Sequence, residues 1–152
     1  MRRSAGILMY KYRADELLVL LVHPGGPYWA KRDLGSWSIP KGEYEGEDPL
    51  TAAGREFQEE TGGQVQGPFL SLGEVTHSNR KTVSAWAVEG DFDPKTLKSN
   101  LCEIEWPPKS GITQLIPEAD RAEWFSLQDA RVKILAGQRP FLDRLESALK
   151  SG

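Results

Sequence analysis

Between Pro40 and Gly63 the chain reads PKGEYEGEDPLTAAGREFQEETGG, and three of its glutamates have the type and spacing to do chemistry. Glu56, Glu59 and Glu60 stand at i, i+3 and i+4, so on a helix their carboxylates share one face. Three carboxylates on one face repel each other unless something positive sits among them. A hard divalent cation such as Mg²⁺ or Mn²⁺, which prefers oxygen ligands, relieves that repulsion. The competing reading of the same spacing is a solvated face with ion pairs such as Arg55 to Glu59.

The flanking residues set the element that carries these groups. Asp48 is a favoured N-cap, and Pro49 fits the first helical position without losing a needed hydrogen bond. Gly62-Gly63 is a good stop, because glycine takes the left-handed C-cap conformation at low cost. About 13 residues of helix lie between them. Read in order, Glu47, seven residues, then Arg55-Glu56-Phe57-Gln58-Glu59-Glu60-Thr61-Gly62 resembles the Nudix box, the signature of the Nudix hydrolases. Two positions depart from that pattern. Only four residues lie between Gly42 and Glu47, one fewer than in the box, and Gly63 stands where the box ends on an apolar residue.

The resemblance implies an α/β (α+β) fold, a mixed β-sheet sandwiched between helices, over a single domain of residues 1–152. It implies an enzyme that hydrolyses the pyrophosphate linkage of a nucleoside diphosphate joined to another group. Metal ligands would be Glu56, Glu59 and Glu60, with the backbone of Gly42 nearby and an extra carboxylate from a later strand, Glu103 or Glu105. Glu56 and Glu60 are the helical candidates for general base. Arg55 would orient a glutamate by ion pairing, and Glu47 would hold the loop by pairing or capping. A Pro-Lys-Gly similar to Pro40-Lys41-Gly42 occurs in the asymmetric diadenosine tetraphosphate hydrolases, where the lysine faces phosphate, so Lys41 is the expected phosphate contact. Dinucleoside polyphosphates or nucleoside triphosphates are the expected substrates, with ADP-ribose, capped RNA ends and oxidised nucleotides as alternatives. A nucleotide-sensing module with the same fold and little catalysis is the alternative of a different class.

The remaining elements must position that stretch. Ser4 to Tyr12 and Leu17 to Val22 read as two strands, the second apolar enough to lie inside a sheet. Trp37-Ser38-Ile39 reads as a short strand. The loop from His23 to Ser36 carries Tyr28, Trp29, Lys31 and Arg32, suited either to stacking a base beside a phosphate or to covering the edge of the core. Val65–Val75, Thr82–Glu89 and Leu101–Trp106 read as further strands, with a turn over residues 77–81. Residues 107–121 read as a long loop before a short strand at Glu123-Trp124-Phe125. Two helices close the chain, one capped by Ser126 and one opened by Pro140.

Composition narrows the partners. A net charge of −3 and a pI near 5.5 argue against a protein that grips duplex nucleic acid electrostatically, while leaving a small nucleotide open. No apolar run approaches the roughly 18 residues of a membrane span. Cys102 is alone, which rules out an internal disulfide and fits a reducing cytoplasm. Nothing in the sequence sets an oligomeric state.

Overall fold

The computed structural model describes residues 2–76 and 80–151. Its frame is a mixed six-stranded sheet in the order β4-β5-β1-β2-β8, with β3 pairing β1. The strands are β1 (Arg2–Arg13), β2 (Glu16–Pro24), β3 (Lys41–Glu43), β4 (Leu70–Thr76), β5 (Lys81–Glu89) and β8 (Ala119–Ser126). β1 runs parallel to β5, and every other pair in this sheet is antiparallel. A separate hairpin pairs β6 (Leu101–Glu105) with β7 (Thr113–Pro117). The helices are α1 (Pro49–Thr61), α2 (Leu127–Lys133) and α3 (Arg139–Ser151).

Period-two alternation splits the apolar residues of the two central strands between the faces of the sheet. Ala5, Ile7, Met9, Leu20 and Val22 turn to one face and pack with Ala52, Ala53 and Phe57 of α1. Leu8, Val19 and Leu21 turn to the other and pack with Ala130 of α2 and with Phe141, Leu142 and Leu145 of α3. The sheet therefore lies between α1 and the α2–α3 pair. Ala52 and Ala53 let α1 approach the strands closely, and Phe57 is fully buried there. Truncating a buried phenylalanine of this kind costs about 3–5 kcal/mol, so the seating of α1 is well determined.

β1 is shared along its length. Its C-terminal half pairs with β2 from Tyr10 to Arg13, while its N-terminal half pairs with β3 from Ser4 to Gly6. The strands part between these registers, and residues 37–43 wedge into the opening. Ile7 N–H donates to Pro40 O at 3.1 Å, and Val22 and Ser38 exchange backbone bonds at 2.9 and 3.0 Å. A Cβ at Gly6 would lie 2.7 Å from Pro40 O, so this approach needs glycine.

Three expectations from sequence shift. Trp37-Ser38-Ile39 makes only isolated bridges, and the paired strand lies just beyond at Lys41–Glu43, because Pro40 has no N–H to donate within a ladder. β4 starts at Leu70 rather than Val65, after the Gly67-Pro68 break. The segment 107–121 is no loop: it contains β7 and the first residues of β8, their alternation hidden by exposure of Thr113, Gln114 and Leu115. Residues 77–79 of the expected hairpin turn lie outside the described residues.

Candidate active site

α1 begins and ends as its caps dictate. The Asp48 side chain accepts from Thr51 N–H at 3.2 Å, and Gly62 takes φ +83° with its N–H on Gln58 O. The helix turns Glu56 inward, where it is buried, and leaves Glu59 and Glu60 partly exposed beside it. The wedge segment meets this face. A Cβ at Gly42 would fall 1.8 Å from Glu56 Oε1, so glycine lets the backbone lie against that carboxylate as it is placed here. One residue earlier, Lys41 N–H donates to Glu60 Oε2 at 2.8 Å.

Arg55 organises the same face from the other side. Its Nη2 lies 2.6 Å from Glu47 Oε1, and its Nη1 lies 2.6 Å from Glu56 Oε2 and 3.1 Å from Glu59 Oε2. The guanidinium thus supplies the positive charge among the glutamates in this conformation. Glu47 and Arg55 stabilise each other's charged forms, so the Glu47 carboxyl is held down and the Arg55 guanidinium pushed up, chiefly by their mutual hydrogen bonds. Glu56 and Glu60 go the other way. Burial pushes the Glu56 carboxyl up, opposed by Arg55 and reinforced by Glu59. Burial pushes Glu60 to about 8, with the Lys41 N–H bond and charge opposing and Glu118 and Glu56 adding to the rise.

Glu118 enters from the far side of the chain, and backbone hydrogen bonds explain its place. The last carbonyls of α1 are capped by the segment that follows β5: Lys98 N–H donates to Thr61 O and Asn100 N–H to Glu59 O. Asn100 O in turn accepts from Glu118 N–H at 2.9 Å, and Glu118 O accepts from Gly25 N–H at 3.1 Å. Burial and then Glu59 raise the Glu118 carboxyl. Glu105 is used differently. Its carboxylate accepts from Lys109 and Gly111 N–H at 2.9 and 3.1 Å, tying the turn of the β6–β7 hairpin. Glu103 shares the exposed outer face of that hairpin. The carboxylate brought to the helix is Glu118, which sequence reasoning left inside an apparent loop.

A pocket of about 170 Å³ opens beside these groups, lined by Trp29, Lys41, Glu60 and Glu118 with Val22, Pro24, Ser36, Ser38 and Leu135. Its mixed wall, an indole, aliphatic side chains and a lysine, offers a face to a planar ring next to a charge for phosphate. Trp29 lines it and Tyr28 does not: the Tyr28 ring is more than half exposed and lies under the Arg32 guanidinium at 4.4 Å.

The donor set suits a hard divalent ion. Glu56, Glu59, Glu60 and Glu118 are all oxygen donors with surplus negative charge, and three of the four carboxyls are raised in a way that a nearby cation would reverse. Among the described residues no three His, Cys, Asp or Glu side chains converge on one ligand point as they stand. Arg55 occupies the space between Glu56 and Glu59, so loading requires that Glu56 and Glu59 turn from the guanidinium.

A helix carrying Arg55-Glu56 and Glu59-Glu60 against a mixed sheet sandwiched by helices defines a class, and the comparisons agree. The NUDIX domain model matches residues 1–145, and the chain belongs to the Nudix family of pyrophosphohydrolases. Solved structures that share the fold include a Caenorhabditis elegans Ap4A hydrolase in a binary complex, with TM-score 0.67 and 22% identity over 100% of both chains. The NUDIX domain of Shewanella oneidensis NrtR complexed with ADP ribose has TM-score 0.65 and 16% identity, covering 97% of this chain and 87% of that one. Among curated proteins, a Myxococcus xanthus octanoyltransferase is 31% identical over 129 residues, 84% of this chain. The chain spans about a third of that relative's length, 32%. Nudix hydrolases generally need divalent metal ions. No helix among the described residues is long and apolar enough to cross a membrane.

Proposed function

We propose that residues 1–152 act as one domain that hydrolyses the pyrophosphate linkage of a nucleoside diphosphate joined to another group, with Mg²⁺ or Mn²⁺, in the cytoplasm. The observation that carries this reading is the meeting of Glu60 and Glu118 with Lys41 and Trp29 on the wall of one pocket. Glu56, Glu59 and Glu60 would hold the ions, with the Gly42 backbone beside Glu56 and Glu118 left to act as base. A bound divalent ion neutralises phosphate charge and brings the pKa of its water toward 7. Lys41 gives the phosphate chain a compact point charge. Trp29 stacks the base. Arg55, anchored by Glu47, sets the orientation of Glu56 and Glu59. Glu118, on the pocket wall across from the helix, takes the proton of the attacking water.

A dinucleoside polyphosphate or a nucleoside triphosphate is the substrate this reading favours, supported by an indole and a lysine on one pocket wall and by the Pro40-Lys41-Gly42 sequence. ADP-ribose is the second candidate, because the NrtR domain of the same fold is complexed with it. Incubating the protein with each compound and Mg²⁺ or Mn²⁺, and identifying products as well as rates, tests the assignment. Cleavage within the pyrophosphate is expected. Metal-dependent binding with no release of phosphate-containing product would instead establish a sensing module.

A further inference from the structure

His23 is fully buried at the end of β2, and both its ring nitrogens meet oxygens. Nε2 lies 2.7 Å from Arg32 O and Nδ1 lies 2.9 Å from Asp120 Oδ1. A backbone carbonyl only accepts, so Nε2 carries a proton. The ring thus bridges a carbonyl of one segment to a carboxylate of another, and it is packed edge-on against Trp37 at 5.2 Å.

The two partners belong to the two walls of the pocket. Arg32 closes the turn that carries Trp29: its N–H donates to Trp29 O, its Nε to Tyr28 O, and its guanidinium covers the Tyr28 ring. Asp120 lies two residues beyond Glu118 on β8. Residues 33–36 have ties of their own, through Asp33 to Trp37 and Lys133 and through Gly35 N–H to Val132 O. Gly25 N–H ties the foot of this loop to Glu118 O, but residues 27–31 make only local turn bonds among the described residues, so the Arg32 carbonyl is where the interior grips the turn itself.

We infer that His23 is a positioning residue, a buried imidazole that bridges the Trp29 turn to β8 beside Glu118 and so fixes the width of the nucleotide pocket. This rests on the pocket being the nucleotide site, but its structural half does not.

His23→Phe keeps the packing on Trp37 and loses both bonds. Amide exchange should then rise in residues 25–35 and not across β1 or β5. For whichever nucleotide the protein hydrolyses, KM should rise roughly ten- to a hundredfold, the range spanned by loss of a charge-assisted hydrogen bond, with kcat altered less than about threefold. Asp120→Asn keeps the Nε2 bond and weakens the Nδ1 contact, so it should give an intermediate KM. Unchanged exchange and unchanged KM in both variants overturn the inference. Should no nucleotide be hydrolysed, the proposed function fails while the exchange pattern still decides the role of His23.

Discussion

Two walls face each other across the candidate site, and they are built in opposite ways. One is local: Arg55, Glu56, Glu59 and Glu60 lie within six residues on one helix, held by caps and by the burial of Phe57. The other is assembled from afar. Trp29, Glu118 and His23 meet only because β2, the β6–β7 hairpin and β8 bring residues about a hundred positions apart into hydrogen-bond contact. Under the proposed function the local wall carries the part of the reaction common to all pyrophosphates. A wall made of distant segments is free to vary in shape, and it is where a substrate is selected.

The sharpest way to break this contrast is to remove charge from the helix wall. Glu59→Gln or Glu60→Gln should lower kcat by roughly a thousandfold, since each removes a charged ligand and no other group on α1 replaces it. The thermal melt in metal-free buffer should not fall, because a neutral side chain of the same shape relieves repulsion among the carboxylates. A variant retaining near wild-type turnover would remove the glutamates from the chemistry and leave the solvated-face reading of the helix.

The second wall is tested by the carboxylate expected from sequence, Glu105, against the one the fold brings to the helix, Glu118. Glu118→Gln should reduce kcat by about a hundredfold, as expected of a proton acceptor. Glu105→Gln should change it less than about twofold and instead loosen the turn at Lys109 and Gly111, each lost bond being worth about 1 kcal/mol. The reverse order of effects would return the distant carboxylate to β6. Both measurements use steady-state kinetics on the substrate found by the product screen.

Legibility from sequence follows the same division. The caps of α1, its length and the shared face of its glutamates rest on contacts within one helix, so periodicity and cap chemistry expose them. β1, β2 and β5 were readable for a similar reason, being apolar runs buried on both faces. Glu118 was not, because its place depends on Asn100 capping α1 and on Gly25 pairing across to it, bonds between backbones that leave no mark on residue type. β7 was hidden because its outward residues are exposed and its inward contact is Gly26 against Ile116, not a core. The loop half of the signature, one residue short, still lays Gly42 on Glu56, because β3 pairs with β1 and fixes its path independently of loop length.

The smallest expected effect is also the one that isolates the helix wall from the catalytic cycle. Glu60 is raised to about 8 in the folded chain against an ordinary carboxyl near 4.5, so between those pH values the folded state binds more protons than the unfolded state. Stability therefore falls as pH rises from about 4.5 to 8 in metal-free buffer, and the contribution is fully present only below the lower value. Glu60→Gln fixes the neutral form, and its amide oxygen still accepts the Lys41 N–H. It should match the parent at pH 4.5 and exceed it at pH 8.5. The gain should be on the order of 1–2 kcal/mol once solvent screening of a partly exposed group is allowed for, or a few degrees in Tm. Adding Mg²⁺ at pH 8.5 should raise the parent and leave the variant nearly unmoved. A parent whose melting temperature is flat over this range would mean that Glu60 ionises without cost. The repulsion that makes the helix wall a cation site would then be absent, and the difference between the two walls would have to rest on geometry alone.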